Sequence, residues 1–312
     1  MKVWLTGGTG FVGSNIVDAA LNHGADVMTT VHSFVPPDDA GYRAERVDMR
    51  DSDAVRNSIR GFDPDVVIHC AILNDWDLMY SDRAGAWESY VTATGTVADA
   101  AAEAGAAFVV VSTDWVFDGT QTGADEATPP NPVNLYGVLK LASEITALER
   151  GGAVARVSGV NGIHRARPTA PRLQDPGFGY FVASLVDNLK AGTPFTVWEA
   201  DNINMIATPS LASESAGMIL DIGQRGLNGI FHCCGADSVT RHALADLTCK
   251  VFEIDSSHLR FGQPPAGLVP PVPIPYDTSI KAPRTSELLE RAPTPLRELL
   301  VRFREEYEAY AA

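Results

Sequence analysis

The feature that most narrows what this chain can fold into is a glycine pattern near its start. Residues 3–6 form a short apolar run. Gly7, Gly10 and Gly13 follow at GxxGxxG spacing and overlap a helical apolar pattern at Phe11, Val12, Ile16, Val17, Ala20 and Leu21. Glycines so placed let the backbone turn sharply from strand to helix, approach a pyrophosphate closely and pack the helix tightly on the sheet. The helix N-terminus presents unpaired N–H groups and a partial positive charge to such an anion. Thr9 lies inside this turn.

The alternation continues. Strands are expected at residues 25–31, 65–69 (DVVIH), 107–112 (AFVVVS) and 153–157, separated by helices over about 51–60, 83–105 and 133–150. The strands are nearly continuous in apolar residues, as in a parallel sheet covered by helices on both faces. The expected fold is α/β, a doubly wound parallel sheet of the Rossmann type. Right-handed crossovers place its strand C-termini on one edge, where ligands bind. After Gly159 the alternation fails. Residues 162–179 (GIHRARPTAPRLQDPGFG) read as a long loop, followed by helices at 181–191 and 209–222 and strands at 195–198 and 229–233. Residues 263–275 (QPPAGLVPPVPIP) read as a stiff surface connection, and residues 295–310 as a charged helix. Residues 1–160, completed by about 203–235, are expected to form the dinucleotide-binding domain. Residues 161–202 and 236–312 are expected to form a smaller, C-terminal substrate-binding domain.

Net charge narrows the partners. The chain of 312 residues carries a formal charge of −15, which repels nucleic-acid backbones and anionic lipid surfaces. No signal peptide and no long apolar run is read, so a cytoplasmic location is expected. The four cysteines (Cys70, Cys233, Cys234 and Cys249) form no CxxC pair and read as incidental thiols of a reducing compartment. The seven histidines show no metal spacing, so no metal is expected, and His69 reads as a satisfied core histidine. There is no GxSxG nucleophile elbow.

The second strand would select between dinucleotides. An acid at its end would bind both ribose hydroxyls and favour NAD. Here the segment is Thr30, Val31, His32, Ser33, with no acid before Asp38. His32 and Ser33 could hydrogen-bond a 2′-phosphate, although the usual arginine is missing from this segment. The balance favours NADP(H) over NAD(H). Asp48, with Met49 beside it, reads either as a partner for the adenine amino group or as a helix N-terminal acid.

Tyr136 and Lys140 stand at i and i+4 on one helix face. A nearby ammonium and the positive nicotinamide ring favour phenolate, so Tyr136 could pass a proton to or from a substrate oxygen. Lys140 could also hold the cofactor's ribose. Thr113, at the end of the strand read at 107–112, could polarise the substrate carbonyl, with Ser112 as a neighbouring substitute.

Four segments together resemble the extended short-chain dehydrogenase/reductases: TGGTGFVGS (6–14), VVIHCA (66–71), STDWVFDG (112–119) and PVNLYGVLKLASE (132–144). Within them the likeness is greatest to the dTDP-4-dehydrorhamnose reductase group. It is dense over residues 1–160 and thin afterwards. The resemblance implies reduction of a nucleotide-activated 4-keto-deoxysugar by NAD(P)H, with Thr113, Tyr136 and Lys140 catalytic. It implies a cofactor site that includes the glycine loop, Asp48–Met49, Cys70 and Ala71, and it allows a homodimer. The related 4,6-dehydratases place Asp and Glu after the strand threonine; here the pair is Asp114 and Trp115, which favours simple reduction. Tyr90 stands where an asparagine is common. Asn15 stands where some reductases carry a metal-binding glutamate, and Trp115 replaces a tyrosine. Arg165, Arg167 and Arg172 either grip a diphosphate or are solvated loop charges. Two other readings share these motifs. One is a ketoreductase or epimerase acting on another small molecule. The other is a cofactor-binding regulatory subunit like that of methionine adenosyltransferase.

Overall fold

A computed structural model describes residues 1–32, 34–37, 39–73, 75–169 and 173–311. The central sheet contains β1 (Lys2–Thr6), β2 (Asp26–Val31), β3 (Arg43–Arg46), β4 (Val66–His69), β5 (Ala107–Thr113) and β6 (Ala153–Val157), together with the strand Gly229–Cys233. Its order is Gly229–Cys233, β6, β5, β4, β1, β2, β3, and every pair is parallel. The chain winds outward from β1 in both directions, as the alternating pattern predicts. The switch point falls between β1 and β4, at the carboxyl ends where the glycine loop lies.

Side chains divide between the two faces with the period of two that a strand imposes. Val3, Leu5, Val66, Ile68, Val109 and Val111 join Ile16 and Val17 of α1 (Phe11–Asn22) and Ile219 of the helix Ala212–Gln224. Trp4, Val67, Val110 and Val154 meet the other face. There they pack with Val55 and Ile59 of α2 (Ser52–Phe62), Val97 and Ala101 of α5 (Ala93–Glu103), and Ala147 of α6 (Leu135–Leu148). The buried Trp4 indole donates from Nε1 to Ser58 Oγ at 3.0 Å, which removes the cost of hiding its N–H. A separate apolar cluster gathers Phe178, Phe181, Leu185, Phe195, Leu244, Phe252, Leu299 and Phe303. It also takes in Leu211, from the stretch assigned above to the dinucleotide-binding part.

Three elements differ from expectation. The edge strand β3 (RAER) is exposed at every residue, so it carries no apolar signal; charge is what an open sheet edge tolerates. Between β4 and α5 stand the short helices α3 (Trp76–Ser81) and α4 (Arg83–Trp87). The helix expected over 83–105 is then interrupted by a π-helical turn at Glu88–Thr92. This turn carries Tyr90, whose hydroxyl donates to the Leu73 carbonyl at 2.9 Å. The helix expected at 209–222 is Ala212–Gln224, preceded by the two-residue strand Ser210–Leu211, which pairs with Val160–Asn161.

Candidate active site

The glycine loop shows why its residues are glycines. Gly7 has φ +71°, and a Cβ there would stand 2.9 Å from the Ala71 Cα. A Cβ on Gly13 would stand 2.1 Å from the Gly7 carbonyl oxygen, so α1 approaches the loop more closely than a side chain permits. Gly10 caps α1 without a side-chain hydrogen bond. Among the described residues the first-turn N–H groups of Phe11 and Val12 have no side-chain acceptor, while that of Gly13 meets the Cys70 thiol, and such open N–H groups are what accepts a pyrophosphate.

Thr6 holds the opposite wall. Its hydroxyl accepts from the N–H groups of Cys70 at 3.0 Å and Ala71 at 2.9 Å, and its remaining proton goes to His69 Nδ1 at 2.8 Å. This fixes His69 as the Nε2–H tautomer, and burial pushes its pKa down to about 3, so it is neutral. His69 therefore acts as a positioning residue for the Cys70–Ala71 backbone. The Cys70 thiol, pushed up to about 11 by burial, stays protonated.

The three residues expected to be catalytic converge at the ends of β5 and α6. Asn134 caps α6 by accepting from Gly137 N at 2.9 Å, and its amide donates to the Pro273 carbonyl at 2.9 Å. The proline-rich connection thereby holds the start of the helix that carries Tyr136 and Lys140. One turn on, the buried Lys140 ammonium donates to the Val111 carbonyl at 2.9 Å and lies 5.7 Å from the Tyr90 ring. Burial lowers its pKa to about 8. Tyr136 lies among aromatic rings, with centroids of Trp76 at 5.9 Å, Trp115 at 6.0 Å and Tyr90 at 6.3 Å. Burial raises its phenol above the usual tyrosine range. The Thr113 hydroxyl, within hydrogen-bonding reach, pulls the other way, and the Asp114 and Asp175 charges add to the rise. Raised in this way, the phenol keeps its proton at neutral pH and can donate it.

Asp114 positions Thr113. Its carboxylate accepts from Ser158 Oγ at 2.7 Å, Thr278 Oγ1 at 2.6 Å and Thr113 Oγ1 at 3.1 Å. Burial raises it to about 6, with these three hydroxyls opposing the rise. The Thr113 bond is the longest of the three, and rotation about a single bond turns that proton toward the Tyr136 side. Ser112 faces the other way along the strand. Its hydroxyl donates to Glu144 Oε1 at 2.5 Å, and Glu144 in turn holds the fully buried Arg156 at 2.6 Å and 2.9 Å. That hydroxyl is committed to the buried ion pair, so Ser112 is no substitute for Thr113, and only its backbone remains at the site edge.

Residues 1–308 match the RmlD substrate binding domain family. The chain belongs to that family. Similar curated proteins include the methionine adenosyltransferase 2 subunit beta of Bos taurus, 28% identical over 83% of this chain and 74% of that protein. The probable low-salt glycan biosynthesis reductase Agl14 of Haloferax volcanii is 30% identical over 82% of each. Among solved structures, a dTDP-4-dehydrorhamnose reductase from Bacillus anthracis in complex with NADP has a TM-score of 0.76, at 20% identity over 98% of both chains. The UDP-glucose 4-epimerase of Thermotoga maritima with UDP-glucose has a TM-score of 0.78, at 19% identity over the whole of both chains. The fold is that of the extended short-chain dehydrogenase/reductases.

Several other expected site residues find different surroundings in this RmlD-family chain. Arg165 is engaged within the protein. It pairs with Glu306 at 3.0 Å and Asp18 at 3.7 Å and lies 5.4 Å from the Tyr310 ring, so it ties the loop to the C-terminal helix. Those partners are distant in sequence, which is why the loop arginine looked uncommitted. Arg167 reaches His164 Nε2 at 3.2 Å and the Phe34 ring at 5.9 Å, which puts it beside the end of β2. Ser33 and Arg172 lie outside the described residues. Asp48 does not cap a helix; Asp51 does, accepting from Ala54 N at 3.0 Å. Asp48 instead receives Arg50 on both oxygens, at 3.0 Å and 2.7 Å, which holds its carboxyl down at about 2. Asn15 donates to the Phe11 carbonyl at 3.0 Å and the Ile163 carbonyl at 2.9 Å and joins α1 to the loop.

Three further residues shape the site without a motif to announce them. Trp76 arrives on the short helix α3. The fully buried Arg241 donates to the carbonyls of Asn204 at 2.7 Å, Asp175 at 2.9 Å and Gly177, and so pins the 174–177 loop against Trp115. Arg46 reaches the end of β2 from β3.

Proposed function

We propose that this chain is an NAD(P)H-dependent reductase of a ketone on a nucleotide-linked deoxysugar. The observation that carries the reading is the convergence of Thr113, Tyr136 and Lys140 at the sheet edge that also bears the glycine loop. The loop fits a dinucleotide, because Gly7 and Gly13 let it pack against Ala71 and α1 more closely than a Cβ permits, and α1 begins without a side-chain cap. When bound, the reduced nicotinamide supplies the hydride. Thr113 then hydrogen-bonds the substrate carbonyl and orients it, while Tyr136 delivers the proton to that oxygen. The Lys140 ammonium, one turn away, stabilises the phenolate left behind. Trp76 and Trp115 exclude water and offer flat apolar walls to a sugar ring.

The nucleotide-sugar assignment draws on the reductase relatives and on neighbours solved with UDP-glucose and UDP-glucuronic acid. The apolar cluster around Phe181, Phe195 and Leu244 is our candidate for the substrate-side lobe.

The test is consumption of NADPH or NADH with an enzymatically generated dTDP-4-keto-6-deoxysugar. Turnover is expected in the wild type, and Tyr136→Phe should lower kcat/KM about 100- to 10,000-fold while keeping cofactor affinity. A Tyr136→Phe enzyme within about tenfold of wild type would remove the phenol as proton donor. The methionine adenosyltransferase subunits among the relatives support a second reading, a cofactor-binding regulatory subunit. Stable capture of a methionine adenosyltransferase catalytic subunit, with no turnover on any ketone, would decide for it.

A further inference from the structure

In a doubly wound sheet, the group at the end of β2 meets the ribose nearest the adenine and decides between a 2′-hydroxyl and a 2′-phosphate. A carboxylate there would select the hydroxyl. This chain ends β2 with Val31 and the exposed His32. A cation arrives instead from the neighbouring strand. Arg46 closes β3 in register with Val31, and its Nε and Nη2 donate to the His32 carbonyl at 3.2 Å and 2.8 Å.

Those bonds fix the guanidinium in place without neutralising it, because a carbonyl bears no net charge. The neighbouring arginines differ. Arg43 is closed by Asp26 at 2.5 Å and Arg50 by Asp48 at 2.7 Å, whereas Arg46 forms no ion pair among the described residues. A second guanidinium, Arg167, comes to the same corner from the 160s loop, 5.9 Å from the Phe34 ring. In a chain of net charge −15, an arginine held at this exposed strand end without an ion pair among the described residues makes a local field suited to an anion.

We propose that Arg46 grips a phosphomonoester on the adenine-side ribose, which makes NADPH the preferred cofactor. The proposal rests on the dinucleotide reading of the glycine loop and adds the residue that sets its specificity. The guanidinium fork is pre-oriented by the His32 carbonyl. Nη1 and the second N–H of Nη2 remain to meet two phosphate oxygens in parallel, a geometry that lysine cannot reproduce.

The experiment is calorimetric titration of the full chain with NADPH, NADH and 2′,5′-ADP, for wild type, Arg46→Leu and Arg46→Lys. The wild type should bind NADPH more tightly than NADH by about 10- to 100-fold. Arg46→Leu should lose most of that margin for NADPH and for 2′,5′-ADP and keep its NADH affinity, with Arg46→Lys in between. The retained NADH affinity shows that the variant is folded. If NADPH binds wild type and Arg46→Leu equally well, the Arg46 assignment fails and the dinucleotide reading stands. If wild type binds NADPH and NADH equally, there is no 2′-phosphate grip and the proposal fails in the same way. If neither cofactor binds, the dinucleotide reading fails and the proposal falls with it.

Discussion

Lys140→Met should make the protein more stable and less active. The wild-type lysine is only 6% exposed. It has one hydrogen bond, to the Val111 carbonyl, and no carboxylate within ion-pair distance among the described residues. Burial lowers its pKa from 10.5 to about 8, even though Cys70 and Glu144 pull it upward. At about 1.4 kcal/mol per pH unit, a drop of that size means that the charged form destabilises the fold by about 3 kcal/mol. The sign follows from proton counts. Below pH 8 both folded and unfolded lysine are protonated and the penalty is present in full. Between pH 8 and 10.5 the unfolded chain holds more protons than the folded one, so the penalty fades as pH rises.

Methionine keeps the aliphatic stem and removes the charge. Allowing about 1 kcal/mol for the lost bond to Val111, Lys140→Met should gain about 1–3 kcal/mol at pH 7. That advantage should shrink by more than half at about pH 9.5. Urea unfolding of both proteins at the two pH values measures it, and the difference between them cancels the titration of other groups. A variant less stable than wild type at pH 7, or a difference that does not change with pH, would refute the reasoning. Loss of turnover in the same variant would show stability being traded for function at this site.

Gly13→Ala should cost about 1–3 kcal/mol by overpacking and abolish NAD(P)H binding, because its Cβ would stand 2.1 Å from the Gly7 oxygen. A thermal melt and a cofactor titration check the two effects separately. Glu144→Leu should cost about 3–5 kcal/mol in urea unfolding, since it leaves the fully buried Arg156 without its counter-charge. Replacing Glu144 and Arg156 together by apolar residues should recover most of that loss.

The sequence disclosed what depends on neighbours along the chain. The strands β1, β4, β5 and β6 announce themselves as apolar runs, and the glycine spacing and the Tyr136–Lys140 pair are local patterns. Whatever depends on distant partners was hidden. β3 is polar because it lies at an exposed edge, so Arg46 had no strand to belong to and the cation at the end of β2 went unseen. Arg165 could be read as a diphosphate ligand or as a solvated loop charge, because its partner, Glu306, is far along the chain. Ser112 and Thr113 are adjacent in sequence but face opposite sides of β5, and only the structure shows which hydroxyl meets Tyr136 and which meets Glu144.

The three hydroxyls on Asp114 come from the end of β5, from the residue after β6 and from the late segment that contains Thr278. Thr113 is therefore aligned partly by the last fifth of the chain. A graft that joined the first 160 residues to a foreign C-terminal part would have to bring a hydroxyl to position 278. Without it, Asp114 would lose its shortest hydrogen bond, and Thr113 would lose its alignment while every residue of the N-terminal motifs remained in place. Swapping C-terminal segments among such proteins is thus constrained at one side chain far from the N-terminal motifs in sequence.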